Sequence, residues 1–170
     1  MKIIVNDANI LIDLVKLDIL PHFFQLPFSF HTTDIIFEEL DQEQQEMFLP
    51  FITNKQLIVE NFTGEELLAM ATLKEEKSQL SLEDCSALFC AQKLEADLIT
   101  SDKNLRNFAR SKAVNIRGHL WVLDSLFEYG VLQGTEVTQL LTTLQNDINP
   151  RLGLPPSACE VLKKKWENNK

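Results

Sequence analysis

The sequence is poor in the side chains that build disulfide frameworks and zinc sites. Its 170 residues include only three cysteines and three histidines. Cys85, Cys90 and Cys159 form an odd set with no Cys-x-x-Cys pair. That argues against a disulfide framework or zinc knuckle and fits a reducing, cytoplasmic compartment. His22, His31 and His119 are scattered without His-x-His or His-x-x-x-His spacing, so zinc is not expected. No apolar run approaches the ~20 residues of a membrane-spanning helix. The N-terminus reads as a strand rather than a signal peptide. No internal repeat or low-complexity segment is evident. Basic residues are also scarce, 16 Lys and Arg against 25 Asp and Glu, a net charge of −9. This disfavours broad adhesion to nucleic acid. It leaves room for a carboxylate cluster that holds divalent cations and so carries local positive charge when loaded.

What is present is ordinary globular material: 45% hydrophobic and 24% charged residues, a balance typical of folded domains. The length suits one domain, or one domain with an appendage, with a core that needs no disulfides. Five β-like runs stand out: Lys2–Asn6, Phe28–Thr32, Leu57–Asn61, Asp97–Thr100 and Val114–Arg117. Helical patterns separate them. Ile10, Leu11, Leu14, Leu17 and Ile19 predict a first helix that Pro21 ends. Ile35–Leu40 opens a second. Thr63-Gly64-Glu65-Glu66 is a capping box for a third. Ser81-Leu82-Glu83-Asp84 caps a fourth, beyond a polar stretch at Lys74–Gln79. Lys103–Lys112 is a further helix. Strands alternating with helices predict a parallel sheet covered on both faces. After Gly118 the pattern is helical only: Leu120–Tyr129, ended by Gly130, then Thr135–Asn146 and Ser157–Trp166. The expectation is an α/β domain over residues 1–118 and a helical C-terminal extension over 119–170 packed on it.

Ligands of parallel sheets bind outside the C-terminal strand ends, and acids recur at that edge. Asp7 follows the first strand and Asp102 the fourth. Asp84 lies in the first turn of the helix leading into the fourth strand. Glu39 sits on the helix after the second. Each has a plain alternative. Asp7, Asp84 and Asp102 could serve only as helix caps, and Glu39 competes with Glu38, Asp41 and Glu43 as one charge on a solvated face. Four acids converging would raise one another's pKa unless a cation held them, and all-oxygen ligands suit Mg²⁺ or Mn²⁺. Lys103, Arg106, Arg110, Lys112 and Arg117 form the densest basic region. It adjoins Asp102 and could bind phosphates, or could be a solvated face.

In "NDANILIDL", "IIFEEL", "LSLEDCSALFCAQ" and "LITSDKNLRNFA", the order and spacing of the acids resemble the four acidic motifs of the PIN-domain nucleases. The resemblance covers roughly residues 1–118. From Arg117 onward the tail is similar to prokaryotic PIN proteins close to the toxins of toxin–antitoxin pairs. The resemblance implies a three-layer fold with a parallel five-stranded sheet, and metal-dependent RNA cleavage. It implies Asp7, Glu39, Asp84 and Asp102 as the acids, with Asp7, Asp84 and Asp102 in metal contact. Asn9 and Thr100, each two residues from one of these acids, are candidates to hydrogen-bond a carboxylate. Lys103, Arg106 and Arg110 would guide RNA. An antitoxin and a second copy of the chain are implied partners, with no membrane. Ala8 stands where relatives often carry a hydroxyl, and Trp121 where a small residue is expected. A non-catalytic interaction module is the competing reading. A phospho-acceptor receiver domain ranks lower, because the paired acids and lysine it needs are missing.

Overall fold

Short β-branched runs flanked by helices pair in parallel because each connection back to the starting edge is long enough to cross over. In the computed structural model, which describes residues 1–168, these runs are β1 (Ile3–Asn6), β2 (Ser29–Thr33), β3 (Leu57–Glu60), β4 (Asp97–Ile99) and β5 (Ile116–Arg117). Positions 169 and 170, the end of the expected extension, lie outside the described residues. All pairings are parallel, in the order β3-β2-β1-β4-β5. Val5 of β1 lies opposite His31 on one side and Leu98 on the other. Adjacent residues Ile4 and Val5, and likewise Leu98 and Ile99, are fully buried. Consecutive residues point to opposite faces, so both faces of the central strands are covered. The expected α/β fold, a parallel five-stranded sheet flanked by helices, is the one observed.

The helices are α1 (Ala8–Lys16), α2 (Leu20–Phe23), α3 (Asp34–Glu39), α4 (Gln42–Thr53), α5 (Gly64–Glu76), α6 (Leu82–Lys93), α7 (Lys103–Ser111), α8 (His119–Glu128), α9 (Gly134–Thr143) and α10 (Pro156–Asn168). A π-helical turn, Leu144–Ile148, continues α9. The chain after β5 packs back on the sheet unit: α8 lies against α2 and β5, and the π-turn against α1. Trp166 of α10 is buried, its indole N–H donating to Asp124 of α8 at 2.9 Å.

Several element boundaries differ from the sequence pattern. Pro21 does not end the first helix. α1 stops at Lys16, Asp18 takes a left-handed φ of 56°, and Pro21 sits in the first turn of α2, where its missing N–H is not needed. The helix after β2 is two. Leu40 turns extended (ψ 143°) and Asp41 starts α4 with a capping box, its side chain and that of Gln44 exchanging bonds with each other's backbone N–H. The polar stretch after α5 is partly helix, since α5 continues to Glu76. All three cysteines are free and buried.

Candidate functional site

Strand order places the switch point at β1 and β4. The chain leaves β1 toward β2 and leaves β4 toward β5, on opposite sides, so their carboxyl ends open a crevice. Asp7 and Asp102 line it because each caps the helix that follows its strand. Asp7 caps α1, its Oδ1 accepting from Ala8 N at 2.8 Å. Asp102 caps α7, its Oδ1 accepting from Leu105 N at 2.8 Å. The cap reading and the site reading are therefore compatible for both residues.

Thr100 joins the two. Its hydroxyl donates to Asp7 Oδ2 at 2.7 Å and accepts from the Asp102 N–H at 3.1 Å. Asn9 Nδ2 donates to the same Asp7 oxygen at 3.0 Å, and Asn9 Oδ1 accepts from Ser101 N at 3.3 Å. Asp7, Asn9, Thr100 and Asp102 thus form one hydrogen-bonded set spanning both strand ends. Asp84 and Glu39 approach through space. Asp84 stands in the capping box of α6, its Oδ2 accepting from Ser81 N at 2.8 Å. Glu39 ends α3 and is exposed at the rim.

The electrostatics tie all four acids together. Asp7 is only 3% exposed. Burial, reinforced by the charges of Asp84 and Glu39, pushes its carboxyl up to about 6 against the lowering effect of the Thr100 hydrogen bond. Burial also raises Asp84, with Asp102 and Glu83 adding repulsion against the Ser81 hydrogen bonds. Partial burial and the neighbouring Glu83 and Asp84 raise Glu39. Such mutual repulsion favours either proton uptake or a bound cation.

The donors are oxygens only, the chemistry that hard divalent cations take. Among the described residues, three of the four acids have an oxygen with no hydrogen bond, Asp84 Oδ1, Asp102 Oδ2 and both Glu39 oxygens, whereas both Asp7 oxygens already accept, Oδ1 from Ala8 N and Oδ2 from Thr100 and Asn9. Among the described residues, no three His, Cys, Asp or Glu side chains are already gathered around one point as ligands. The residues fit a divalent ion in donor chemistry and in their placement at one sheet edge.

Sequence reasoning missed the residues that hold α3 beside α6. Thr33 caps α3, accepting from Ile36 N at 3.0 Å, and its hydroxyl meets the buried Ser86 hydroxyl of α6 at 2.8 Å. The cap pattern around Thr33 was available as a signal; the partner 53 residues away was not. Asn6 was also missed. It is fully buried next to Asp7, donates to His31 O at 3.1 Å, and leaves its Oδ1 without a partner. Of the basic candidates, Lys103 and Arg110 are exposed. Arg106 turns inward, its Nη1 donating to Thr100 O at 2.7 Å and Arg117 O at 3.1 Å. Lys112 pairs with Glu76 and Arg117 with Asp97.

The family described as DUF3368, PIN domain, matches residues 3–167 of the chain. No curated protein matches it. Among solved structures the chain is similar to a PilT N-terminus domain protein from the hyperthermophilic archaeon Sulfolobus solfataricus. The two share 20% identity over 74% of this chain and 94% of that one, with a TM-score of 0.49. No helix among the described residues is long and apolar enough to cross a membrane.

Proposed function

The chain belongs to the PIN-domain family, and from that premise we propose that it is a divalent-metal-dependent endoribonuclease, the toxin of a toxin–antitoxin pair. PIN domains are generally nucleases and commonly depend on divalent metal. The observation that carries the reading is the Thr100 bridge between Asp7 and Asp102 at the switch point, with the charges of Asp84 and Glu39 felt at Asp7.

Asp7, Asp84 and Asp102 would hold Mg²⁺ or Mn²⁺. A divalent ion there would acidify a water and offset charge on a phosphate. Thr100 and Asn9 orient Asp7, fixing Oδ2 between two donors so that the carboxylate cannot swing away. Glu39, at the rim, is placed to orient an incoming water or to join the ligands. Lys103, Arg106 and Arg110 are the cations nearest Asp102 along the chain, and RNA phosphates are their proposed targets. An antitoxin, and a second copy of this chain, are the proposed protein partners. The helices from α8 onward are proposed to extend the same domain rather than form another.

A non-catalytic scaffold is the second reading, and the absence of a preformed ligand cage among the described residues is what favours it. Cleavage of single-stranded RNA by the purified chain separates the two. The expected result is cleavage with Mn²⁺ or Mg²⁺ that EDTA stops and Asp7→Asn abolishes. Cleavage that survives both would remove these acids from the chemistry. No cleavage of varied RNAs despite bound metal would favour the scaffold.

A further inference from the structure

A cavity of about 290 Å³ opens beside the acidic crevice. Ser101 and Lys103, the two residues flanking Asp102, both line it, so it shares an edge with the proposed cleavage site. Its volume is at the lower end of small-ligand sites, about 300–1,000 Å³, which suits one nucleotide unit.

Its lining combines two chemistries. Lys103 and Arg106 line it together with Leu120, Trp121 and Leu154. Among the described residues no carboxylate lines it, in a chain whose net charge is −9. Lys103 is exposed and, among the described residues, makes no ion pair or hydrogen bond. Arg106 spends Nη1 on two backbone carbonyls, which fixes the guanidinium plane, and its other N–H groups carry no hydrogen bond. Gly118 leaves room for that placement: a Cβ there would stand a tight 3.0 Å from Arg106 Nη1. Gly118 also precedes α8 without a side chain to cap it, and the cavity runs along that first turn. His119 lines the cavity too. It is 5% exposed, bonds Asp13 through Nε2 at 2.7 Å, and leaves Nδ1 buried without a partner. The Arg117 guanidinium, paired with Asp97, lies 5.7 Å from the Trp121 ring centroid.

A held guanidinium and a free ammonium beside apolar and aromatic side chains match a molecule with an anionic end and a flat base. We propose that this cavity is a nucleotide subsite: it takes the phosphate of one RNA nucleotide at Lys103 and Arg106 and its base against Leu120, Trp121 and Leu154. The identity of the strand as substrate rests on the nuclease reading above; the subsite itself does not need metal. It would anchor the nucleotide next to the scissile bond and set where the strand enters the acids.

The test uses the whole chain in EDTA, where binding is separated from cleavage. The probes are inorganic phosphate, 5′-AMP and a 2′-O-methyl RNA hexamer, read by calorimetry and tryptophan fluorescence. Only Trp121 and Trp166 emit, and Trp166 is buried at 1% exposure. The expected result is saturable binding, tighter for AMP than for phosphate and tightest for the hexamer, with a fluorescence change that Trp121→Phe removes. Lys103→Gln should weaken the hexamer about tenfold, the loss of one charge-assisted hydrogen bond. It should also lower the salt slope by roughly 0.7, the value for one single-strand phosphate contact. AMP binding no tighter than phosphate would reduce the cavity to an anion site and overturn the proposal. Hexamer binding that Lys103→Gln leaves unchanged, or no saturable binding at all, would also overturn it. Loss of Mn²⁺-dependent cleavage with binding intact would instead remove the nuclease reading and leave the subsite standing.

Discussion

Ionising Asp7 in the folded chain works against its burial and against the charges of Asp84 and Glu39. Its carboxyl is raised from 3.8 to about 6, so between those values the folded state keeps a proton that the unfolded chain has released. Stability from this group therefore falls as pH rises through that window, by on the order of 3 kcal/mol once Asp7 is ionised. Asp13 and Asp97 act oppositely. Burial opposes their ionisation, but hydrogen bonds from His119 and Asn149 on Asp13, and from Lys2 and Arg117 on Asp97, outweigh it and lower both carboxyls. Their stabilisation is present above the ordinary carboxylate range and is lost as pH falls through their lowered values. The metal-free chain should then be most stable in mild acid. In EDTA, Asp7→Asn should melt above the parent at pH 7.5 by about 1–3 kcal/mol, and the gap should close near pH 4. Equal melting at both pH values would mean that Asp7 is not strained. Thr100→Val makes the complementary change. It keeps the shape but takes one hydrogen bond from Asp7 and leaves the Asp102 N–H unpaired, a loss of about 1–3 kcal/mol. The loss should be larger at pH 7.5 than at pH 4, because the hydroxyl lowers the Asp7 carboxyl. A loss that does not change with pH would assign Thr100 to packing alone.

Helix ends repeat one device. At Asp18, Lys55, Glu95 and Ala113 the residue after the helix takes a left-handed φ of 56°, 59°, 51° and 61°. In each case the next N–H reaches back five residues: Ile19 to Leu14, Gln56 to Phe51, Ala96 to Ala91 and Val114 to Ala109. This is the Schellman arrangement, which ordinarily selects glycine. With five glycines in the chain, only Gly130 marks such an end in the usual way. Ala113→Gly should therefore raise the unfolding free energy by about 0.5–1 kcal/mol, read as a higher urea midpoint. The left-handed strain removed slightly exceeds the added freedom of the unfolded chain. A lower midpoint would mean the Ala113 methyl does more in packing than its backbone strain takes away. The same device decides what could be read from sequence. Helix starts carry side-chain signals, and those at Thr63, Ser81 and Asp102 stand where expected. The four stops with a non-glycine left-handed residue carry none, so α1 was read through Asp18 to Pro21. The α3–α4 break at Leu40 was missed because polar residues on both sides, Glu38-Glu39 and Asp41-Gln42, read as one solvated helix face, although the Asp41–Gln44 capping box marks a new start. Asp7 and Asp102 were legible because strand ends and caps are local. The Thr100 bridge was visible only as a candidate, and the Thr33–Ser86 contact was not visible, because both depend on which strands and helices become neighbours.

At the scale of the whole molecule, a net charge of −9 makes every cation somewhat welcome, and a specific site must be told from general screening. Surface charges respond to ionic strength whatever the ion. A site made of Asp7, Asp84 and Asp102 responds to a divalent ion at concentrations near its dissociation constant. It does so only in the folded state, because the unfolded chain separates Asp7 from Asp102 by most of the sheet domain. Binding restricted to the folded form adds about 2.7 kcal/mol at a hundred times the dissociation constant. For a chain of this size that is roughly 5–10 °C in melting temperature. Because the raised carboxyls must lose their protons to bind, the shift should grow from pH 5 to pH 7.5. The measurement is thermal melting of the parent chain with Mn²⁺, with NaCl at matched ionic strength, and of Asp102→Asn. Asp147→Asn, an exposed change on the π-turn, is the control that alters net charge by the same amount. Mn²⁺ should stabilise the parent and Asp147→Asn alike, and Asp102→Asn much less. An equal shift from NaCl, or an undiminished shift in Asp102→Asn, would assign the effect to the acidic surface as a whole and leave the four acids without a resident ion.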